Sequence, residues 1–178
     1  MCLDPCAYIR HKGNGHGRFA IIMVWVDDLL LFAMLDALME KMKQNISTEW
    51  ETTDLREPSK IIGIEITQSA NAISIRQKQY IEAILKHKGM DRANPVSMPL
   101  DFNSPLEPNP DGNEGSRSNS YTQLLGELQF LTNATHLDIS YAVSRLASYT
   151  ANPSMQHMGM LKRVLCYLKG TKEYGITC

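Results

Sequence analysis

Two adjacent carboxylates, Asp27 and Asp28, sit in the middle of an otherwise apolar run from Phe19 to Ala33. Burying an uncompensated carboxylate is costly, so acids in such a setting are paired, hydrogen-bonded or bound to a metal. Aliphatic strand, acidic tip, aliphatic strand is the layout a two-metal phosphoryl-transfer site requires. The strands anchor a hairpin, and the tip presents oxygens to a hard cation such as Mg2+. A structural reading competes with this one: Asp is a common turn residue, and the pair could merely close the hairpin.

Other candidate ligands are sparser. Cys2, Cys6, His11 and His16 read C-x3-C-x4-H-x4-H. Zinc accepts such N and S ligands, but the first gap exceeds the usual two residues, and Asn14-Gly15-His16-Gly17 reads as a hairpin turn. His136 and His157 have no nucleophile or carboxylate at ligand spacing and read as ordinary polar or core histidines. Met39, Met42, Met158 and Met160 read as core filler. No Ser-His-Asp pattern, phosphate loop or dinucleotide fingerprint is present.

The 178 residues suffice for one substantial core or two small ones. With 43% hydrophobic and 21% charged residues, the composition is that of an ordinary globular protein. A net charge of -1 argues against a wholly basic nucleic-acid binder while allowing local basic faces. Met1 to Pro5 lacks the basic start and apolar segment of a signal peptide. Phe19 to Ala33 is too short to span a bilayer and carries two acids, so a membrane partner is not expected. Four scattered cysteines fit a reducing, intracellular compartment, cytoplasmic or nuclear.

The elements that must position the acids follow from periodicity. Ala7 to Arg10 and Phe19 to Val26 read as strands joined by the turn Gly13 to Gly17, and Leu29 to Ala33 pairs back across the tip. Asp36 is a plausible N-cap for a helix with Leu38, Met39, Met42 and Ile46 on one face, and Glu49 to Thr53 could be a short strand. Ile62, Ile64 and Ile66 alternate as one strand, turned by Gln68 to Asn71 into a second over Ala72 to Arg76. A helix with the stripe Tyr80, Ile81, Ile84 and Leu85 ends at Gly89. Asp91 to Ser120 is proline-rich and reads as a linker, with Asp101 to Gly115 expected to be mobile. Three helical stripes follow: Tyr121, Leu124, Leu125, Leu128 and Leu131, then Ile139, Ala142, Val143 and Leu146 entered at Asp138, and lastly Met158, Leu161, Leu165 and Leu168 closed by Gly170. The expected class is α+β, arranged as 1–90, a linker over 91–120, and a helical part over 121–178.

Several separated motifs together resemble the C-terminal part of the copia-type retrotransposon reverse transcriptase. The resemblance is carried by Trp25-Val26-Asp27-Asp28, with Trp where Tyr is usual, and by Ile62-Gly63-Ile64-Glu65-Ile66 and Gln77-Lys78-Gln79-Tyr80-Ile81. Pro95 to Pro99, Tyr121 with Leu125-Gly126-Glu127-Leu128, Asp138 to Val143, His157 and Tyr167-Leu168-Lys169-Gly170-Thr171 complete the ordered set. Where the family usually has Arg-Pro before the Asp, this chain has Thr135-His136. The resemblance implies a partial polymerase palm of antiparallel hairpins packed on helices, a primer-holding hairpin over Ile62 to Ile75, and a helical thumb or connection. It implies RNA-directed DNA synthesis with Asp27 as principal Mg2+ ligand, Asp28 in support and Trp25 beside the primer terminus or template base. Trp25 reads equally well as a core aromatic on a strand.

The family's palm draws a further catalytic carboxylate from an earlier strand that lies upstream of these motifs. The expectation is therefore that Met1 is an internal start, and that the chain alone is an inactive fragment with weak metal binding at most. Implied partners are an RNA or DNA primer-template and an intact polymerase chain. Gly63, Lys78, Lys162, Arg163 and Lys169 are the further candidates for nucleic-acid contact, although charged runs are more often the solvated side of a helix. A non-catalytic binding module derived from the transposon is the alternative.

Overall fold

The computed structural model describes residues 5–12, 18–101, 105–109 and 118–178. It is a mixed α+β chain with two antiparallel sheets and five α-helices among the described residues. The chain divides into two compact units, Met1–Glu57 and Pro58–Cys178. No helix among the described residues is long and apolar enough to cross a membrane.

In the first unit, β1 (Ala7–Lys12), β2 (Arg18–Trp25) and β3 (Asp28–Ala33) form a meander in the order β1-β2-β3. Residues directly opposite each other share a face. The pairs Ala20–Ala33, Ile22–Leu31 and Val24–Leu29 therefore line one face, and Ile21–Phe32 and Met23–Leu30 line the other. Helix α1 (Asp36–Glu49) packs on the first face, where Leu38, Met42 and Ile46 border a cleft of about 210 Å³ with Tyr8, Ala20 and Ile22. Ala20 is the one buried residue of this unit among those described, and α1 buries none of its own.

The second unit holds the core. Strands β4 (Lys60–Ile61), β5 (Ile64–Gln68), β6 (Ile73–Arg76) and β7 (Gly175–Thr177) form an antiparallel sheet in that order. Four helices accompany it: α2 (Lys78–His87), α3 (Ser118–Ala134), α4 (Ser140–Ala147) and α5 (Met155–Thr171), with a 3₁₀ turn over Leu137–Ile139 before α4. The expected stripes are the ones that pack: Leu128, Leu131, Ile139, Leu146, Leu161 and Leu168 have no exposed surface. Hairpin β4–β6 and α2 fall in the same unit as α3–α5. The described part of the proline-rich stretch lies against these helices. Leu100 is buried, Leu106 packs on the core, and Lys169 Nζ donates to the Ala93 carbonyl at 2.7 Å.

Polar groups, buried at Gln77, Thr135 and His136, join sheet to helices. Gln77, between β6 and α2, accepts at Oε1 from Thr135 Oγ1 at 2.8 Å. Next to Thr135, the Nδ1 of the fully buried His136 lies 3.2 Å from Asp138 Oδ1, and Tyr167 Oη donates to Asp138 Oδ2 at 2.7 Å. Burial acts to raise the Asp138 pKa, but the hydrogen bonds from His136 and Tyr167 outweigh it and hold the carboxyl below its usual range. Burial, then the Asp138 partner, pushes the Tyr167 phenol up to about 12.

Several expectations are corrected. Leu35, not Asp36, is the N-cap of α1, and it offers no side-chain bond, while Asp36 complements the helix dipole from the first turn. Glu49 to Thr53 forms no strand: Glu49 ends the helix, and the Trp50 amide still donates back to Ile46. Ile62 to Ile66 is not one strand, because Ile62 (φ 51°) and Gly63 (φ 77°) form the turn that folds β5 onto β4. Gly170 lies inside α5 rather than ending it, and a Cβ there would stand 3.2 Å from Pro95 Cβ. Strand β7 was not anticipated. The turn Gly13 to Gly17, the residues Cys2 and His16 of the zinc reading, and most of Asp101 to Gly115 lie outside the described residues.

A Cβ on Gly175 would run into the Ile75 carbonyl oxygen, whereas one on Gly159, exposed on α5, meets nothing within 4 Å. Gly175→Ala should therefore destabilise the protein by about 1–3 kcal/mol, and Gly159→Ala should stabilise it by about 0.5–1 kcal/mol. Urea unfolding followed by far-UV circular dichroism measures both.

Candidate functional site

The apolar run folds on itself at its acids. The ladder between β2 and β3 closes at the pair Trp25–Asp28, which leaves Val26-Asp27 as a two-residue hairpin turn. Val26 is left-handed at φ 52°, and Asp27 is not, as in a type II′ turn, where glycine usually takes the first central position. A β-branched residue in that region is strained by about 1–3 kcal/mol.

Both Asp27 and Asp28 are exposed at the hairpin apex, where the sequence places the acidic tip. The aliphatic residues form the two strands, the turn carries Asp27 beyond the sheet, and Asp28 opens β3 beside it. Trp25 is 56% exposed and shares its sheet face with Asp28, opposite the face covered by α1. Within this unit it is not a core residue. Val26 is 83% exposed. The apex thus presents two hard oxygen donors, an indole and an aliphatic side chain to whatever approaches it.

Carboxylates are the donor type that Mg2+ takes. Two of them make only part of a cation site, and among the described residues no group of three or more His, Cys, Asp or Glu is arranged to hold a metal. The donor set is right in kind and incomplete in number.

The remaining candidates lie in the second unit. Gly63 forms the β4–β5 turn, with the Phe130 ring 3.8 Å from where a Cβ would stand. Lys78 opens α2 and is ion-paired with Glu173, which also faces Arg76 at 3.7 Å. The Glu173 hydrogen bond raises the Lys78 pKa, and the same bond lowers that of Glu173. On α5, Lys162 is exposed, Arg163 is half-buried with its Nε unpartnered, and Lys169 is engaged by Ala93. Of these cations, Lys162 is thus the exposed one. The structure brings Lys162, Arg163 and Lys169 onto one helix, while Trp25, Asp27 and Asp28 meet at one apex in the other unit. Sequence reasoning missed the Gln77–Thr135–His136 contacts, and no local pattern marks a polar residue for burial when its partner is 58 positions away.

With the apex described, comparison with known proteins is decisive. Residues 4–101, more than half of the chain, match the family described as reverse transcriptase (RNA-dependent DNA polymerase). The chain belongs to this reverse transcriptase family. It is 29% identical over 175 residues to the retrovirus-related Pol polyprotein from transposon TNT 1-94 of Nicotiana tabacum, covering 94% of this chain and 13% of that protein. It is 32% identical over 178 residues to the Pol polyprotein from transposon RE1 of Arabidopsis thaliana, covering 97% and 12%. The RE2 polyprotein of the same plant gives 32% over 173 residues, again 97% and 12%. These are copia-type elements, and the chain spans about an eighth of the length of these curated relatives. No solved structure matches it significantly. In this reverse transcriptase chain, Thr135 and His136 serve as partners of Gln77 and Asp138.

Relieving the strain at the apex is testable. Val26→Gly should stabilise the first unit by about 1 kcal/mol, the released strain exceeding the added unfolded-state entropy of glycine. The chain's two tryptophans, Trp25 and Trp50, both lie in that unit, so thermal unfolding followed by tryptophan fluorescence reads the change directly.

Proposed function

We propose that the chain is the part of a copia-type reverse transcriptase that carries the acidic catalytic hairpin together with primer-side elements, and that by itself it does not polymerise. The observation that carries this reading is the apex: a strained two-residue turn displays Asp27, with Asp28 exposed beside it at the start of β3. Asp27 is the principal ligand for a divalent cation and Asp28 supports it, with Trp25 flanking the primer terminus. The chemistry that divalent cations supply at such sites is activation of the primer hydroxyl and stabilisation of the pyrophosphate leaving group. What this chain contributes is the placement of two oxygens and an aromatic wall. Completing the cation cradle requires a further carboxylate, and positioning of reactants is worth about 7–11 kcal/mol of barrier.

A polypeptide of these 178 residues should show no primer extension on an RNA or DNA template with Mg2+ or Mn2+. Titration calorimetry should detect weak Mn2+ binding, weakened about tenfold or more by Asp27→Asn. Detectable extension overturns the inactivity, and unchanged Mn2+ binding in Asp27→Asn overturns the ligand assignment.

A second reading, a non-catalytic module that holds nucleic acid or engages an intact polymerase, is favoured by one observation: the helical core and its exposed Lys162 stand in a unit separate from the acidic apex. Fluorescence anisotropy with a labelled primer-template should then show binding that falls steeply with salt and weakens in Lys162→Ala. Binding that is absent or insensitive to salt removes this reading.

A further inference from the structure

Residues 105–109 form a strap over the corner between α4 and α5. Tyr149 Oη donates to the Leu106 carbonyl at 2.9 Å, and Gln156 Nε2 to the Pro105 carbonyl at 3.1 Å. Asn152 Nδ2 donates to the Asn109 carbonyl at 3.0 Å, and Asn109 Nδ2 returns a bond to Asn152 Oδ1 at 3.2 Å. The Leu106 side chain packs on the core beneath.

Under this strap lies His157, with no exposed surface. Its ring stacks on that of Tyr149, centroids 4.0 Å apart and planes 17° from parallel, so it braces a residue that holds the strap. His157 also caps its own helix. The Ser154 amide donates to Nδ1 at 2.9 Å, and the His157 amide donates to Ser154 Oγ at 3.3 Å, a reciprocal capping box. To accept from the Ser154 amide, Nδ1 must carry a lone pair, which makes the ring neutral with its proton on Nε2. Nε2 has no hydrogen-bond partner.

A second proton on the ring must go to Nδ1, where it faces the Ser154 N–H and eliminates that bond, leaving Ser154 Oγ, 2.9 Å away and already accepting from the His157 amide, as the one nearby acceptor. The resulting cation is buried, and no carboxylate pairs with it among the described residues. From the strap the ring faces the Glu107 backbone carbonyl, the Glu107 side chain being exposed, and from the end of α4 it faces Tyr149. At the N-cap of α5 its hydrogen-bond partner is Ser154.

We propose that His157 is an acid-sensitive latch, whose protonation at Nδ1 releases the strap 105–109 and the first turn of α5 while the rest of the helical core stays folded. Burial holds the His157 pKa below the ordinary 6.5, with the Glu107 carbonyl opposing. The sign follows from that depression. The latch is fully closed above the unfolded-state value near 6.5 and opens as pH falls from there through the folded-state value.

The test is ¹⁵N relaxation on the full chain at pH 7.0 and pH 5.0. The amides of Leu106, Glu107 and Asn109 should fall from order parameters near ~0.85 to below ~0.6 on acidification, with α3 amides unchanged. In His157→Gln the side-chain oxygen accepts the same Ser154 bond without titrating, since Ser-x-x-Gln is itself a capping box. That variant should keep the strap ordered at both pH values. Equal strap order at both pH values in the unaltered chain overturns the proposal, as does an equal acid-induced loss in His157→Gln. Should the variant be loose at both pH values, the ring titration of His157 in the unaltered chain decides. A value below 6.5, coincident with strap release, supports the latch, and one at or above 6.5 overturns it.

Discussion

Gln77 has no exposed surface, and its side-chain oxygen is satisfied by Thr135 alone. A buried amide left unpaired costs about 1–3 kcal/mol, so the end of β6 and the end of α3 must meet in one register for this unit to be stable. The same junction carries His136 and Asp138, and through Asp138 it reaches Tyr167 on α5. Two sets of polar partners, adjacent along the chain at Thr135 and His136, thereby tie the sheet to helices whose apolar stripes could otherwise slide. Neither set is fully satisfied: Gln77 Nε2 and His136 Nε2 are buried without partners. Polar networks inside a core specify arrangement more than they add stability. Gln77, Asp138 and Tyr167 are far apart in the sequence, and here they converge on one place.

The first unit is built on the opposite principle. It has a well-formed meander and a helix, yet Ala20 is its one buried residue among those described, and Ile9, Met23, Trp25 and Phe32 remain exposed on the face away from α1. A small unit that buries so little apolar surface gains little from the hydrophobic effect. Its ordering rests on ladder hydrogen bonds and cross-strand pairs. The strained Val26 turn draws on that small reserve. This is the pattern expected where geometry at an apex is favoured over local stability.

Much of this was legible in the residues. The strands flanking the acids and the stripes of α2 to α5 were readable because alternation and helical spacing survive burial almost unchanged. Tyr121, Leu124, Leu125, Leu128 and Leu131 are all buried as their spacing requires. The failures have physical causes. Ile62 reads as strand because it is β-branched, but Gly63 supplies a left-handed partner and the chain turns there. Gly175 to Thr177 is too short to signal a strand, and it forms one only because β6 offers an edge. The burial of Gln77, Thr135 and His136 depends on partners distant in sequence, which local patterning does not encode.

Strand β7 has a kinetic consequence. It pairs with β6 across a separation of 103 positions between Ser74 and Thr177, and the Ile73 and Cys178 backbones exchange hydrogen bonds beyond it. Contacts that close so long a loop form late, because the entropy of bringing the ends together is lost before the contact is gained. The α-helices between them nucleate locally and need no such closure. The helical layer therefore assembles ahead of the sheet's last strand, and until that strand arrives the outer edge of β6 is open to pairing with another chain.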